Sequence, residues 1–213
     1  MDSGFAVIVF AAFGLVVGFA ADRLAARWPA HADGVIRPMD WRTALLVVGG
    51  AAALGALPAR WTELQPLLVL TPYFVALLVL MATDLDQKLL PDVITLPLVV
   101  VAFVLTLTGL NPLLADKDLP IASSLIAGIG APLLLFGLDV VVKGALGMGD
   151  LKLIAGIGLL SGVTRLFGGL IAASLVSAVV LIVLIAARRL TLRTAIPFGP
   201  ILILAGMLAA LAP

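Results

Sequence analysis

Twelve acidic residues are scattered through a chain that is otherwise almost wholly apolar, and four of them stand where chemistry is possible. Asp84, Asp86 and Asp92 fall in the segment Ala82-Thr83-Asp84-Leu85-Asp86-Gln87-Lys88-Leu89-Leu90-Pro91-Asp92, and Asp150 in Gly147-Met148-Gly149-Asp150-Leu151-Lys152-Leu153. Asp84 follows directly on an unbroken apolar run, at its boundary with the polar loop. Spacing alone does not separate Asp86 from Asp84. Asp92, after Pro91 and before the run Val93 to Leu110, reads as an N-cap or first-turn acid, whose charge suits a helix N-terminus. Gly147 and Gly149 permit unusual backbone angles and close approach of another chain beside Asp150. An extended substrate needs such access, because its own N–H and C=O groups must find partners away from water.

Two aspartates at one depth on different helices define a chemistry. Like charges at close range do not both ionise cheaply, so the pair shares one proton. The ionised member takes a proton from water, which attacks a peptide carbonyl. The protonated member donates to the carbonyl oxygen or the leaving amine. That reaction needs no thiol, imidazole or metal. The chain has no Cys and a single His, His31 in a polar loop, which excludes disulfides and cysteine nucleophiles and gives no basis for expecting a zinc site or any cofactor. The other acids read as structural. Asp2, Asp33, Asp40, Glu63, Asp116 and Asp118 fall in loops or at the terminus. Asp22, beside Arg23, marks a membrane interface, and Asp139 is placed to pair with Lys143 one turn on.

The elements that must position these acids follow from composition. Of 213 residues, 63% are hydrophobic and 12% charged, where a soluble domain carries about 25% charged residues. Mean hydropathy is +1.27. Lipid is therefore the solvent for most of the surface, and the expected fold is an all-α polytopic membrane helix bundle, a single transmembrane domain over residues 1–213. A span needs about 20 apolar residues. By that measure about eight transmembrane helices are expected, near 4–21, 43–58, 66–83, 93–110, 120–142, 152–163, 167–187 and 195–212. The first has neither a basic leader nor a small-residue cleavage site, and reads as a retained anchor. The segments 43–58 and 152–163 are short and need not span fully. Glycine pairs at Gly14–Gly18 and Gly158–Gly162 suit close helix packing in lipid. No internal repeat suggests inverted transporter symmetry, and a net charge of +1 gives no sign of nucleic-acid binding.

Loop charges set the orientation. One side holds Arg23, Arg27, Arg37, Arg42, Lys88, Lys143, Lys152, Arg188, Arg189 and Arg193, and the other holds Arg60, Lys117 and Arg165, ten against three of the 13 basic residues. Positive charge stays inside, so Asp84 and Asp150 face the cytoplasm and both termini lie outside.

With these residues in view, the chain resembles the type IV prepilin peptidase family. Asp84 with Lys88-Leu89-Leu90-Pro91-Asp92-Val93-Ile94-Thr95-Leu96-Pro97 is similar to that family's first signature. Gly147-Met148-Gly149-Asp150-Leu151-Lys152 is similar to its second, the Gly-x-Gly-Asp motif of intramembrane-type aspartyl proteases, and Ile196-Pro197-Phe198-Gly199-Pro200 to its C-terminal signature. The resemblance runs in order over roughly residues 80–210. It implies that Asp84 and Asp150 are the catalytic pair, in preference to Asp86, with Gly147, Gly149, Lys152, Lys88, Pro91 and Asp92 in support. It implies an inner-membrane aspartic endopeptidase acting on prepilins and pseudopilins of pilus or secretion assemblies, cut after a short basic leader. Lys152 or Lys88 would attract an acid near the substrate's new N-terminus. Many members carry paired cysteines in the first cytoplasmic loop, linked to zinc and to N-methylation of the product. Here that loop is residues 22–42 without Cys, which implies a peptidase-only member. The rival reading is a transporter whose acids relay protons or cations, but that predicts acids near mid-helix. A structural partner in a secretion assembly would leave the glycines before Asp150 unexplained.

Overall fold

The computed structural model describes residues 3–30, 36–114, 120–142, 147–186 and 198–212. Among them every regular element is a helix: α1 Ser3–Ala25, α2 Trp41–Arg60, α3 Leu64–Gln87, α4 Asp92–Leu107, α5 Pro120–Val142, α6 Met148–Ala186 and α7 Gly199–Leu211. Five of these, α1, α2, α3, α5 and α6, are long and apolar enough to cross a membrane. The segment expected at 43–58 is a helix of 20 residues, long enough to span. The segments expected at 152–163 and 167–187 belong to one hydrogen-bonded element, interrupted at Gly162. Residues 195–197 of the last expected segment lie outside the described residues.

Chain punctuation explains these boundaries. Asp40 caps α2 in a reciprocal box: its side chain accepts from the Arg42 N–H at 2.8 Å, and its own N–H donates to Thr43 Oγ1 at 3.2 Å. Lys88 ends α3 in the left-handed region (φ 54, ψ 40). Pro91 then precedes α4, where its missing N–H costs nothing.

The 39 residues of α6 would run about 58 Å as one straight helix, roughly twice the hydrocarbon thickness. Gly162, at φ 66 and ψ 179, breaks it into two pieces in a conformation that disfavours any side chain. A break frees backbone groups that lipid cannot satisfy. Side chains from α4, the turn after it and α5 take them up. The Leu159 carbonyl accepts from Thr106 Oγ1 at 3.2 Å and from Ser124 Oγ. The Leu160 carbonyl accepts from Asn111 Nδ2 at 2.9 Å, and the Val163 N–H donates to Ser123 Oγ at 3.0 Å. Gly162 is thus a break as well as a close contact, since a Cβ there would stand 2.7 Å from Ser123 Oγ and Leu114 Cδ2.

The core lies between α2, α3, α6 and α7, around Leu54, Leu57, Phe74, Leu77, Ile157 and Leu202. At 13 residues α7 is short, about 20 Å, yet it is the most enclosed helix, with eight residues buried. Large apolar side chains on α1, α4, α5 and α6 face outward, among them Ile8, Val101, Leu133 and Ile171, as a lipid-facing surface requires. Small residues set the closest approaches. A Cβ built on Gly14 would overlap the Gly50 carbonyl oxygen, and one on Gly18 that of Leu46, so α1 and α2 touch backbone to backbone.

That contact makes a prediction. Gly14→Ala should destabilise the protein by about 1–3 kcal/mol through overpacking. Gly49→Ala, where nothing lies within 4 Å of the added carbon, serves as the control. Unfolding in detergent checks it, and equal stability of the two variants would remove the proposed contact.

Candidate active site

One end of the bundle gathers the sequence candidates. The C-terminus of α3 brings Asp84, and the N-termini of α4, α6 and α7 bring Asp92, Asp150 and Gly199. Arg23, Arg27, Arg37, Arg42, Lys88 and Lys152 lie at this end. Arg60 and Arg165 lie at the other, where they donate to the Ala212 carbonyl that ends α7, at 3.3 and 2.6 Å. Cations there complement the negative end of the helix dipole.

Asp84 is 6% exposed. Its Oδ2 has no hydrogen-bond partner among the described residues. It faces α7: a Cβ added to Gly199 would stand 2.7 Å from the Asp84 Cγ and Oδ2 and 2.8 Å from Oδ1. Only a residue without a side chain lets the N-terminus of α7 close on that carboxyl. Gly199 is therefore a site residue that the reading of acids and their neighbours missed. The signal was present, because Gly199 sits directly before Pro200 at a helix start, but nothing in the sequence said which acid it would meet.

Asp150 lies within electrostatic range of Asp84, as does Lys88. It sits in the first turn of α6, where its Oδ2 accepts from the Gly147 N–H at 3.0 Å and its own N–H donates to the Gly147 carbonyl at 3.0 Å. Gly147 thus holds Asp150 through its backbone. Gly149 does something else: a Cβ there would stand 2.8 Å from Leu90 Cβ, so the loop after α3 packs directly on the start of α6. Gly149 is not among the glycines with a positive φ. The close approach expected beside Asp150 is present at Gly149, made by this chain's own Leu90. Asp92 is in the first turn of α4 and also receives Lys152 Nζ on both carboxylate oxygens, at 2.7 and 2.8 Å. That pair, 29% and 58% exposed, ties α4 to α6 and engages the Lys152 ammonium. Pro91 accepts through its carbonyl from the Ile94 and Thr95 N–H groups, opening α4.

Asp86 is a different kind of acid. Its side chain is 2% exposed and forms ion pairs with Arg37 Nε at 2.6 Å and Arg42 Nη1 at 2.9 Å. Arg37 also reaches Asp22 Oδ1 at 2.5 Å and Asp40 Oδ1 at 2.6 Å. Burial works against the Arg37 charge, but the Asp22 and Asp86 carboxylates outweigh it and hold the guanidinium above its ordinary value. Burial likewise opposes ionisation of Asp40, but the Arg42 N–H and the Arg37 guanidinium prevail and keep it below the usual carboxylate range. Asp22, expected only to mark the interface, is fully buried and accepts from Arg23, Arg37 and Thr43 Oγ1. Asp139 is half-buried on α5, while Lys143 and His31 lie outside the described residues. Among the described residues no three His, Cys, Asp or Glu side chains converge as a metal site would require.

The acids thus divide. Asp22, Asp40, Asp86 and Asp92 are bound in ion pairs, whereas no ion pair among the described residues involves Asp84 or Asp150. A buried carboxyl and a half-buried one in electrostatic range of each other, neither held in an ion pair among the described residues, suit the holding and passing of a proton.

Residues 72–185 match the family described as the type IV leader peptidase family. The chain is similar to the prepilin leader peptidase/N-methyltransferase of Pseudomonas putida, 34% identical over 169 residues that make up 78% of this chain and 57% of the relative. It is 36% identical over 174 residues to the protein of that name from Aeromonas salmonicida (strain A449), and 37% identical over 174 residues to the one from Aeromonas hydrophila. Each of these two alignments covers 79% of this chain and 55% of the relative. The chain therefore spans little more than half the length of these relatives. No solved structure matches it.

The Gly199 contact can be tested without any activity. Gly199→Ala should cost about 1–3 kcal/mol of stability. In an Asp84→Gly background, which removes the opposing carboxyl, the same change should cost markedly less. Additive effects in this double-mutant cycle would mean that the two residues do not touch.

Proposed function

The chain belongs to the type IV leader peptidase family, and we propose that it is a membrane aspartic endopeptidase in which Asp84 and Asp150 hydrolyse the peptide bond that ends a short leader. One observation carries the reading. Among the described acids at this end, Asp84 alone combines deep burial, an unpartnered carboxylate oxygen and a second carboxyl in electrostatic range. A buried polar atom left without a partner is costly, and a site that must receive a water or a peptide carbonyl is a physical reason to keep one.

In the resting site the two acids hold one proton between them. The ionised carboxylate draws a proton from a water as that water's oxygen adds to the peptide carbonyl. The other carboxyl gives its proton to the carbonyl oxygen. Collapse of the tetrahedral adduct breaks the C–N bond, and the proton first taken from water passes to the departing amine. Gly147 orients Asp150 through its N–H, Gly149 lets Leu90 close on α6, and the Asp92–Lys152 pair holds the two helix starts together. Lys88, exposed and in electrostatic range of Asp84, is placed to meet an acidic group on the substrate.

The substrates we propose are prepilins and pseudopilins, in keeping with the name of the relatives. The whole chain acts as one transmembrane domain of the inner membrane. It crosses eight times if the two pieces of α6 cross separately and α4 and α7 cross within the bundle. The ten-to-three division of basic residues places the acids at the cytoplasmic face and both termini outside. A transporter reading is not favoured, since both acids stand at helix ends. Without cysteines, the chain is proposed to cleave but not to methylate.

Asp84→Asn and Asp150→Asn should each lower cleavage of a prepilin with a basic leader, in detergent, by at least about 10³-fold, within the range of lost acid–base catalysis, while inserting and folding normally. Either variant cutting at the rate of the unaltered protein would overturn the assignment. With S-adenosylmethionine present, the cleaved product should carry no added methyl group by mass.

A further inference from the structure

We infer that Arg37 and Asp86 are positioning residues that set the rotation of α3 and thereby aim the Asp84 carboxyl, an inference that rests on the peptidase reading above. Asp84 and Asp86 are two residues apart on one helix, so their side chains leave the axis about 200° apart. One therefore points into the bundle, toward Asp150 and Gly199, and the other points to the opposite side, toward the segment joining α1 to α2.

On that far side the anchoring is dense. Arg37 touches three carboxylates that come from three places in the fold: Asp22 on α1, Asp40 at the cap of α2, and Asp86 on α3. Arg42 adds a second cation to Asp86. One residue on, Gln87 Nε2 donates to the Pro29 carbonyl at 2.7 Å. The last turn of α3 is thus gripped from behind by Pro29, Arg37 and Arg42. From the front Gly199 closes on Asp84, whose Oδ2 has no hydrogen-bond partner among the described residues.

Small rotations matter at this lever arm. A turn of about 10° moves a group about 5 Å from the helix axis by about 1 Å, and a misplacement of about 1 Å can cost about 10²-fold in rate. Arg37 pairs with Asp22, Asp40 and Asp86 and not with the acids that do the chemistry, so its influence on cleavage runs through Asp86 and the orientation of α3.

The test compares the unaltered protein with Asp86→Asn and Arg37→Gln, using cleavage of a prepilin with a basic leader and, separately, a distance. Because the chain has no Cys, spin labels on Leu89→Cys and Met148→Cys, at positions 48% and 67% exposed, report the separation of the α3 end from the α6 start. We expect kcat to fall about ten-fold or more, within the cost of such a misplacement, with KM nearly unchanged and with the label separation shifted or broadened. Should either variant fail to fold, Arg37→Lys keeps the charge but cannot reach three carboxylates, and should show the same pattern more mildly. Unchanged kcat, a rise in KM alone, or an unmoved label separation would overturn the inference. If the unaltered protein itself fails to cleave, the peptidase reading falls, and the label separation alone decides whether Asp86 and Arg37 orient α3.

Discussion

Within a bilayer there is no water to complete the hydrogen bonds of a carboxylate or a freed backbone group, so each must find its partner in the protein. Most features of this structure answer that constraint. The broken α6 has its open carbonyls bound by Thr106, Asn111 and Ser124. The end of the short α7 is met by Arg60, Arg165 and the Trp61 Nε1, which donates to the Ala210 carbonyl at 3.1 Å. Asp22 and Asp86 are buried only because arginines come with them. Against that background Asp84 stands apart among the described acids as the one with a buried carboxylate oxygen that has no partner.

Partnering has a geometric counterpart. A 13-residue helix is too short to span a hydrocarbon layer about 30 Å thick with its ends in water, so α7 is tolerated within the bundle by being sheathed in protein. Its enclosure puts Gly199 at the depth of Asp84, and the closeness of the two depends on the absence of a Cβ. The same device recurs where Gly14 and Gly18 meet α2 and where Gly149 meets Leu90. Small residues supply attraction in lipid by letting backbones approach, since exclusion of water no longer drives helices together. The ion-pair cluster around Arg37 adds direction to this packing. It fixes how one helix is turned, which close packing of small residues alone does not do.

Much of this was legible in the sequence because it follows from composition and from local order. The apolar runs imposed helices, the absence of strands among the described residues follows from the same runs, and Asp84 and Asp150 were placed at helix ends by the residues beside them. The ordered motifs from Asp84 to Gly199 carried the family. Other features depended on which helices are neighbours, and no spacing encodes that. Asp22 and Asp86 are polar residues beside basic ones in the sequence, indistinguishable there from a solvated surface. Only the folded chain brings Arg37 between them. Gly162 looked like half of a packing pair, and its φ identified it as the break in α6 as well. Gly149 looked open to a substrate until Leu90 was seen to occupy the space beside it. The sequence thus determined the solvent, the helices and the candidate acids, because hydropathy and helix ends are local properties of a chain. Tertiary structure alone decided which acids are neutralised and which one is left bare, because a counter-ion is supplied by proximity in space.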